Sequence, residues 1–336
     1  MKALGIIIPL LFSPLMADDG KPKSLDESLR LQIFLDQKGF GPGFLDGKPG
    51  KFTSGAVYAY NRVQGRAPGN WEALLSEAQQ DVPVLYATAT VPSFAVKYVN
   101  PELPTEREDQ AKEKMMAYRS YLEFMAERYH TSESFLLALN NSGKMRNLKP
   151  RQSLKVPNIQ PFLIEELAVG RSYKKEEQLS RRTIVVDTSL KQIFIYDPAV
   201  VMKVSPGAAV VVEDDEVEEQ LGAMVAMFPI TPGQEEFIHR GNWKIRNCVE
   251  LPEWRYDKSF LEKGVRGDEF FQIPPGPNNP VGVLWAGLTK SGIGIHGTST
   301  PRTIGRAQSA GCYRLSNWDA ARFSGFARPG TRVIVR

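Results

Sequence analysis

At Arg182 the hydrophobic pattern of this chain changes period. Before that point apolar residues recur three or four apart: Leu25, Leu29, Ile33 and Phe34 share a helical face, and Ala56, Val57 and Tyr60 repeat the pattern. After it they alternate. Thr183-Ile-Val-Val186 and Gln192-Ile-Phe-Ile-Tyr196, bracketing Asp187-Thr-Ser189, read as a β-hairpin. Further strand signals lie at Ala208–Val212, Met224–Ile230, Trp243–Val249, Val281–Leu288, Gly294–His296 and Arg332–Val335. A chain divided in this way is neither one helical bundle nor one repeating α/β unit. The expectation is small helical modules followed by a mainly-β half, a sandwich or related fold. Its 336 residues leave room for two or three domains.

Apolar residues make up 42% of the chain and charged residues 24%, which excludes a disordered, collagenous or multi-span membrane protein. The net charge of +4 is too small to imply nucleic-acid binding. Locally the balance is uneven. Residues 239–336 hold fifteen Lys and Arg against seven Asp and Glu, which favours substrates carrying carboxylates. Residues 171–238 hold seven against twelve, and Asp214–Glu219 alone has five acids in six positions, read as a solvated loop. With three histidines, no zinc-type Cys/His cluster, no phosphate loop and no dinucleotide fingerprint, neither a metal nor an organic cofactor is expected.

Residues 1–17 read as a secretory signal peptide: Lys2, a short apolar run and Ala17 before Asp18-Asp19. The run is shorter than the roughly 20 residues a membrane span needs, and Pro9 and Pro14 interrupt it. The expected protein is exported, to the periplasm or cell wall, with no integral membrane segment once the signal is removed. Its oligomeric state is not legible.

Residues 24–66 contain two helical stretches around a glycine-rich turn, Gly39-Phe-Gly-Pro-Gly43-Phe-Leu-Asp46-Gly47-Lys-Pro-Gly50-Lys-Phe-Thr53, with Thr53 placed to cap the second helix. This pattern resembles the peptidoglycan-binding helical repeat, with Asn61 where a Gln is common. Residues 67–117 mix prolines with charge, including Glu106-Arg-Glu-Asp109, and read as a connector. Residues 118–158 read as helices over Tyr121–Tyr129 and Ser132–Leu139 and a strand over Ser153–Pro157. They resemble a LysM carbohydrate-binding module in Tyr129-His-Thr and Leu139-Asn140, and in Leu148-Lys-Pro and Leu154-Lys-Val-Pro157. The usual Gly-Asp opening is missing and Arg151 replaces a glycine. His130 reads as a polar helix-end residue.

The chemistry concentrates between Ile293 and Asn317. His296 ends a strand, and sixteen residues later Cys312 follows Ser309-Ala310-Gly311. A free thiol is only a few per cent thiolate at pH 7, so it needs a nearby base to become a competent nucleophile. An imidazole can serve, and Gly311 allows close substrate approach with backbone N–H groups free to hold an oxyanion. No Asp or Asn adjoins His296, so a backbone carbonyl such as that of Gly297 is the expected orienter. The competing reading is a Cys248–Cys312 disulfide, which needs neither the histidine nor the flanking glycine. His239 reads as a loop residue, and Trp243, Trp254 and Trp285 as core or rim aromatics.

Residues 182–336 resemble the catalytic domain of the L,D-transpeptidases, with its YkuD-type β-rich fold. The resemblance rests on Ile295-His296-Gly297-Thr298, Ile304-Gly305 and Ser309-x-Gly311-Cys312-x-Arg314-Leu315, then Asn317 and Asp319. Upstream it includes Phe228-Pro-Ile-Thr-Pro-Gly233 and Pro275-Gly-Pro-Asn-Asn-Pro-Val-Gly282. It implies Cys312 as acylated nucleophile, His296 as base, the Gly297 carbonyl as orienter and the N–H groups of Gly311 and Cys312 as oxyanion donors. Arg314, Ser309 and Thr298 become candidates for substrate binding. The implied partners are peptidoglycan stem peptides and glycan. One position departs: Ala310 stands where the family usually has a second histidine. Whether the acyl-enzyme passes to an amine or to water, or the chain only binds the wall, stays open at this level.

Overall fold

The computed structural model describes residues 20–199, 221–259, 265–306 and 311–336. The signal-peptide reading, the strand expected at Ala208–Val212, the acidic run, Ser309 and Ala310 lie outside them.

Helix α1 (Leu25–Gln37) starts at Ser24, whose hydroxyl accepts the N–H of Glu27. Helix α2 (Lys51–Val63) starts instead at Gly50. Thr53 is therefore three residues inside it, reaching back to the Gly50 N–H at 3.5 Å, rather than being the cap itself. Helix α3 (Trp71–Asp81) packs on α1. Strand β1 (Tyr86–Thr90) follows and pairs antiparallel with β2 (Ser153–Pro157), nearly seventy residues later. Between these strands lie α4 (Arg107–Gln110), α5 (Tyr121–Arg128), α6 (Glu133–Leu139) and α7 (Ser142–Met145). The stretch read as a connector thus carries a helix and a strand of its own. A strand whose partner is so distant leaves no hairpin signal in the sequence. Arg151 adopts φ +70°, the left-handed conformation that suits glycine.

The rest is built on a nine-stranded mixed sheet. Its strands are β3 (Ser172–Tyr173), β4 (Thr183–Asp187), β5 (Gln192–Pro198), β6 (Leu221–Pro229), β7 (Gly241–Glu250), β10 (Leu284–Leu288), β11 (Gly294–His296), β12 (Tyr313–Arg314) and β13 (Arg332–Val335). A separate ribbon joins β8 (Trp254–Tyr256) to β9 (Phe271–Ile273). The main order is β12-β11-β10-β7-β13-β4-β5-β6, with β3 against β7. Only β13–β4 and β11–β12 are parallel among these pairs. Helix α8 (Glu177–Ser180) precedes β4, and α9 (Asn317–Phe323) follows β12.

Every residue of β4 is buried, as a strand covered on both faces must be. Ile184, Val186, Ile193 and Ile195 point into the main core, which also contains Phe124, Met125 and Leu136 of the 118–158 module. Val185, Phe194, Tyr196 and Met227 point the other way and join Leu31, Phe34, Val57 and Tyr60 of α1 and α2. The turn between α1 and α2 also extends the sheet: Gly41 donates to the Met227 carbonyl at 2.7 Å and Met227 to the Gly39 carbonyl at 3.1 Å. This covers the open edge of β6. The N-terminal half is continuous with the catalytic half through shared cores.

Candidate active site

His296 and Cys312 sit on neighbouring segments because β11 and β12 run parallel. His296 is paired with Arg314 in that ladder, and Cys312 immediately precedes β12. Gly292, just before β11, and Gly294, its first residue, also meet the thiol: Sγ donates to the Gly292 carbonyl at 3.6 Å. The close fit depends on glycine. Gly311 has φ +104°, and a Cβ on Gly233 would lie 2.6 Å from the Gly311 Cα. The Phe228–Gly233 stretch therefore lies directly on the Gly-Cys turn, and Thr231 secures it by exchanging two 2.9 Å backbone hydrogen bonds with Arg314.

His296 is buried, with its ring stacked on Trp285 at 5.5 Å between centroids. Its Nδ1 lies 2.7 Å from the Gly297 carbonyl. A carbonyl can only accept, so Nδ1 carries the proton and Nε2 keeps the lone pair. Burial lowers the imidazole pKa to about 4; the Gly297 carbonyl opposes the shift and the Arg314 charge adds to it. Burial raises the Cys312 thiol to about 11, against smaller contributions from Gly294 and Arg314. At neutral pH the resting pair is therefore thiol and neutral imidazole, and the thiolate is made on demand.

Both cysteines are free, so the Cys248–Cys312 disulfide does not form. Cys248 is wholly buried on β7 and its thiol is pushed up to about 12 by burial, an inert position. His239 keeps to a loop, where its carbonyl accepts the Trp243 indole N–H at 3.0 Å. His130 is a buried partner of Asp36 at 3.0 Å.

Thr298 and Arg314, each two residues along the chain from one member of the pair, line one cavity of about 370 Å³. Arg107, from the connector, and Arg119, from the 118–158 module, line it too. The sequence reading missed both, because nothing local marks two arginines in a charged stretch as meeting a site nearly two hundred residues away. Asn317 was noted only within the motif. Its Oδ1 accepts the Val283 N–H at 3.1 Å, and its Nδ2 donates to Glu127 at 2.9 Å. It thus braces the Gly282–Val283 turn packed against Gly297. Among the described residues no group of three His, Cys, Asp or Glu could hold a metal, and no helix is long and apolar enough to cross a membrane.

This parallel strand pair carries a carbonyl-oriented histidine on one strand and a cysteine at the start of the other. Residues 181–335 match the family model described as the L,D-transpeptidase catalytic domain, YkuD. Over these residues, a little under half of the chain, it is similar to that family. Among curated proteins it is similar to the L,D-transpeptidases YkuD of Bacillus licheniformis and of Bacillus subtilis. The first is 43% identical over 61 residues, 18% of this chain and 37% of the relative. The second is 42% identical over 59 residues, 18% and 36%. The chain thus spans little more than a third of the length of these relatives. Among solved structures, L,D-transpeptidase 3 from Mycobacterium tuberculosis with a faropenem-derived adduct aligns at 15% identity and TM-score 0.32, over 56% of this chain and 74% of that one.

Proposed function

We propose that this protein is an exported peptidoglycan L,D-transpeptidase. His296 Nε2 takes the thiol proton as Cys312 Sγ attacks the carbonyl carbon between the third and fourth residues of a donor tetrapeptide stem. The N–H groups of Gly311 and Cys312 hold the resulting oxyanion. The imidazolium returns its proton to the departing amine, the C–N bond breaks, and the terminal D-residue leaves a thioester on Cys312. An amine of a neighbouring stem then attacks the thioester. His296 accepts its proton and the thiol is restored as the cross-link forms. Bond making is driven by positioning, and no cofactor is invoked.

The observation that carries this reading is the Gly297 carbonyl on Nδ1, which leaves Nε2 as the basic nitrogen of a histidine on the strand beside that of Cys312. Residues 24–66 and 118–158 are read as wall-binding parts, a peptidoglycan-binding repeat and a LysM-like module. In the second, α5 packs on α6 and β2 pairs with the more distant β1. Bound glycan would raise the local concentration of donor stems.

The test is to incubate the protein with disaccharide-tetrapeptide and follow the products by mass spectrometry. Cross-linked dimers and released D-residue are expected. Monomeric tripeptide alone would mean that water resolves the thioester, and unchanged substrate with retained sacculus binding would mean a binding protein. A carbapenem adduct on the intact chain, absent from Cys312→Ala, identifies the nucleophile.

A further inference from the structure

The cavity lined by Thr298 and Arg314 has an unusual charge. Every ionisable side chain lining it is a guanidinium: Arg314 on the catalytic side, and Arg107 and Arg119 on the connector side. No carboxylate lines it. Among the described residues none of the three arginines forms an ion pair with a carboxylate, although the Arg119 charge acts on Glu123. Arg107 lies over the rings of Trp254 and Tyr256, at 5.4 and 5.6 Å, and donates to the Gln110 carboxamide oxygen at 2.6 Å. Arg119 donates to the carbonyls of Leu103 and Pro104. The nearest acid on that wall, Glu123, accepts the Arg119 backbone N–H and the Asn278 amide rather than a guanidinium. Removal from water pulls the Arg314 pKa down, with the Cys312 charge opposing, so Arg314 would gain from an anion.

The connector is also fixed against the catalytic domain. Met116 donates to the Pro275 carbonyl at 2.9 Å, Asn278 donates to the Met116 carbonyl at 2.8 Å, and a Cβ on Gly276 would lie 2.4 Å from that Met116 oxygen. The Arg119 and Arg107 wall therefore has a set position relative to Thr298 and Arg314. At about 370 Å³ the cavity is at the small end for ligand sites, suited to one amino-acid residue rather than to a sugar chain.

We propose that the wall contributed from outside the catalytic domain completes the donor site: Arg107 of the connector and Arg119 just after it, with Arg314, seat the free C-terminal carboxylate of the peptide that Cys312 attacks. The inference rests on the transpeptidase reading. In a tetrapeptide donor that carboxylate is three bonds from the scissile carbonyl carbon, so its seat must lie close to the thiol; Arg314 and Thr298 of this cavity stand two residues from Cys312 and His296. Guanidinium groups match a carboxylate with paired hydrogen bonds, and a neutral carboxamide forfeits the charge. The pocket thus selects stems that end at the fourth residue and places the leaving group before attack.

The experiment compares two donors on the full chain: disaccharide-tetrapeptide with a free C-terminal carboxylate and the same donor with a C-terminal carboxamide. Release of the fourth residue is followed by mass spectrometry. The wild type is expected to favour the free acid in kcat/KM by about tenfold or more. Arg107→Gln and Arg119→Gln are each expected to lower kcat/KM for the acid and shrink that preference towards unity. Arg119→Lys should retain part of the preference. Because Arg119 also holds two carbonyls, Arg107→Gln is the decisive variant if Arg119→Gln does not fold. A wild type without preference, or an Arg107→Gln enzyme with the full wild-type preference, overturns the proposal. Turnover of neither donor, with no carbapenem adduct on Cys312, would instead overturn the transpeptidase reading and this inference with it.

Discussion

Asp36 and Glu127 are both carboxylic acids buried where the N-terminal half meets the catalytic domain, and they hold opposite charge states. Burial pushes both upward. At Asp36 that push is more than reversed by Arg322 and His130, and its carboxyl is held well below the usual range. Arg322 of α9 spans Asp36 and Asp319, and His130 stacks on Trp318. At Glu127 no cation intervenes. Asn317 and the Tyr118 hydroxyl donate to one oxygen, at 2.9 and 2.8 Å, and offset the burial only partly, so the acid is raised to about 8. Burial alone does not decide the charge of an interface acid; the presence of a cation does. One seam is an ion cluster and the other a neutral hydrogen-bond network, although both tie the same two halves together.

The largest effect tests whether these seams join folding units or merely tether them. Deleting residues 1–66 exposes the face of β4–β6 formed by Val185, Phe194, Tyr196 and Met227 and leaves Arg322 without Asp36. The truncated chain is expected to be insoluble, or to unfold cooperatively at a temperature far below that of the full chain. A soluble fragment with the full-length melting temperature would show that the seam carries no stability.

Next comes the ion cluster. Arg322→Ala strips the cation from two buried carboxylates and is expected to cost about 3–5 kcal/mol, because the abandoned charges stay buried. Adding Asp36→Asn should recover part of that loss, a coupling that a double-mutant cycle in urea measures. Simple addition of the two single losses would deny the pairing.

Glu127→Gln gives a smaller effect of opposite sign. An acid whose folded pKa is about 8, against an ordinary 4.5, gives stability that is complete below pH 4.5 and is lost as pH rises towards 8. Glutamine keeps an oxygen for Tyr118 and Asn317 and removes the titration. The variant should be more stable than wild type at pH 8 and close to it at pH 4.5. Equal stability at both pH values would mean that Glu127 does not titrate in the folded protein. Asp36 works the other way: its lowered pKa gives stability present above the ordinary carboxylate pKa and lost in acid.

The two halves also differ in how far their sequence could be read. The β4–β5 hairpin is visible because its strands are adjacent and rich in β-branched and aromatic residues, and the Cys-His chemistry is visible because the motif is short and local. The seams are not, because their members are scattered: Asp36, His130 and Arg322 come from three parts of the chain, each unremarkable in its own neighbourhood. One clue was available. A run such as Thr183-Ile-Val-Val186 on a strand that faces solvent would alternate with polar residues; its apolar continuity signals cover on both faces. Arg107 and Arg119 carried no equivalent mark, since charged connectors are ordinarily solvated.

The smallest expected effect concerns the contact between α2 and the catalytic loop. The Phe52 ring lies against Gly305, which takes φ +72°, and a Cβ on that glycine would lie 2.3 Å from Phe52 Cζ. Lys51 donates to the Gly305 carbonyl at 3.2 Å, and Gly305 donates to Thr231 Oγ1 at 2.8 Å. Thr231 is in turn the backbone partner of Arg314. The helical repeat therefore touches the segment that positions Arg314. Phe52→Ala removes one half-buried ring and should cost only about 1 kcal/mol. If the repeat is part of the scaffold, acylation of Cys312 should nevertheless slow by a few-fold, on short soluble donors that have no glycan to bind. If the repeat acts only by holding glycan, acylation of those donors will match wild type, and the variant will differ only on intact sacculi.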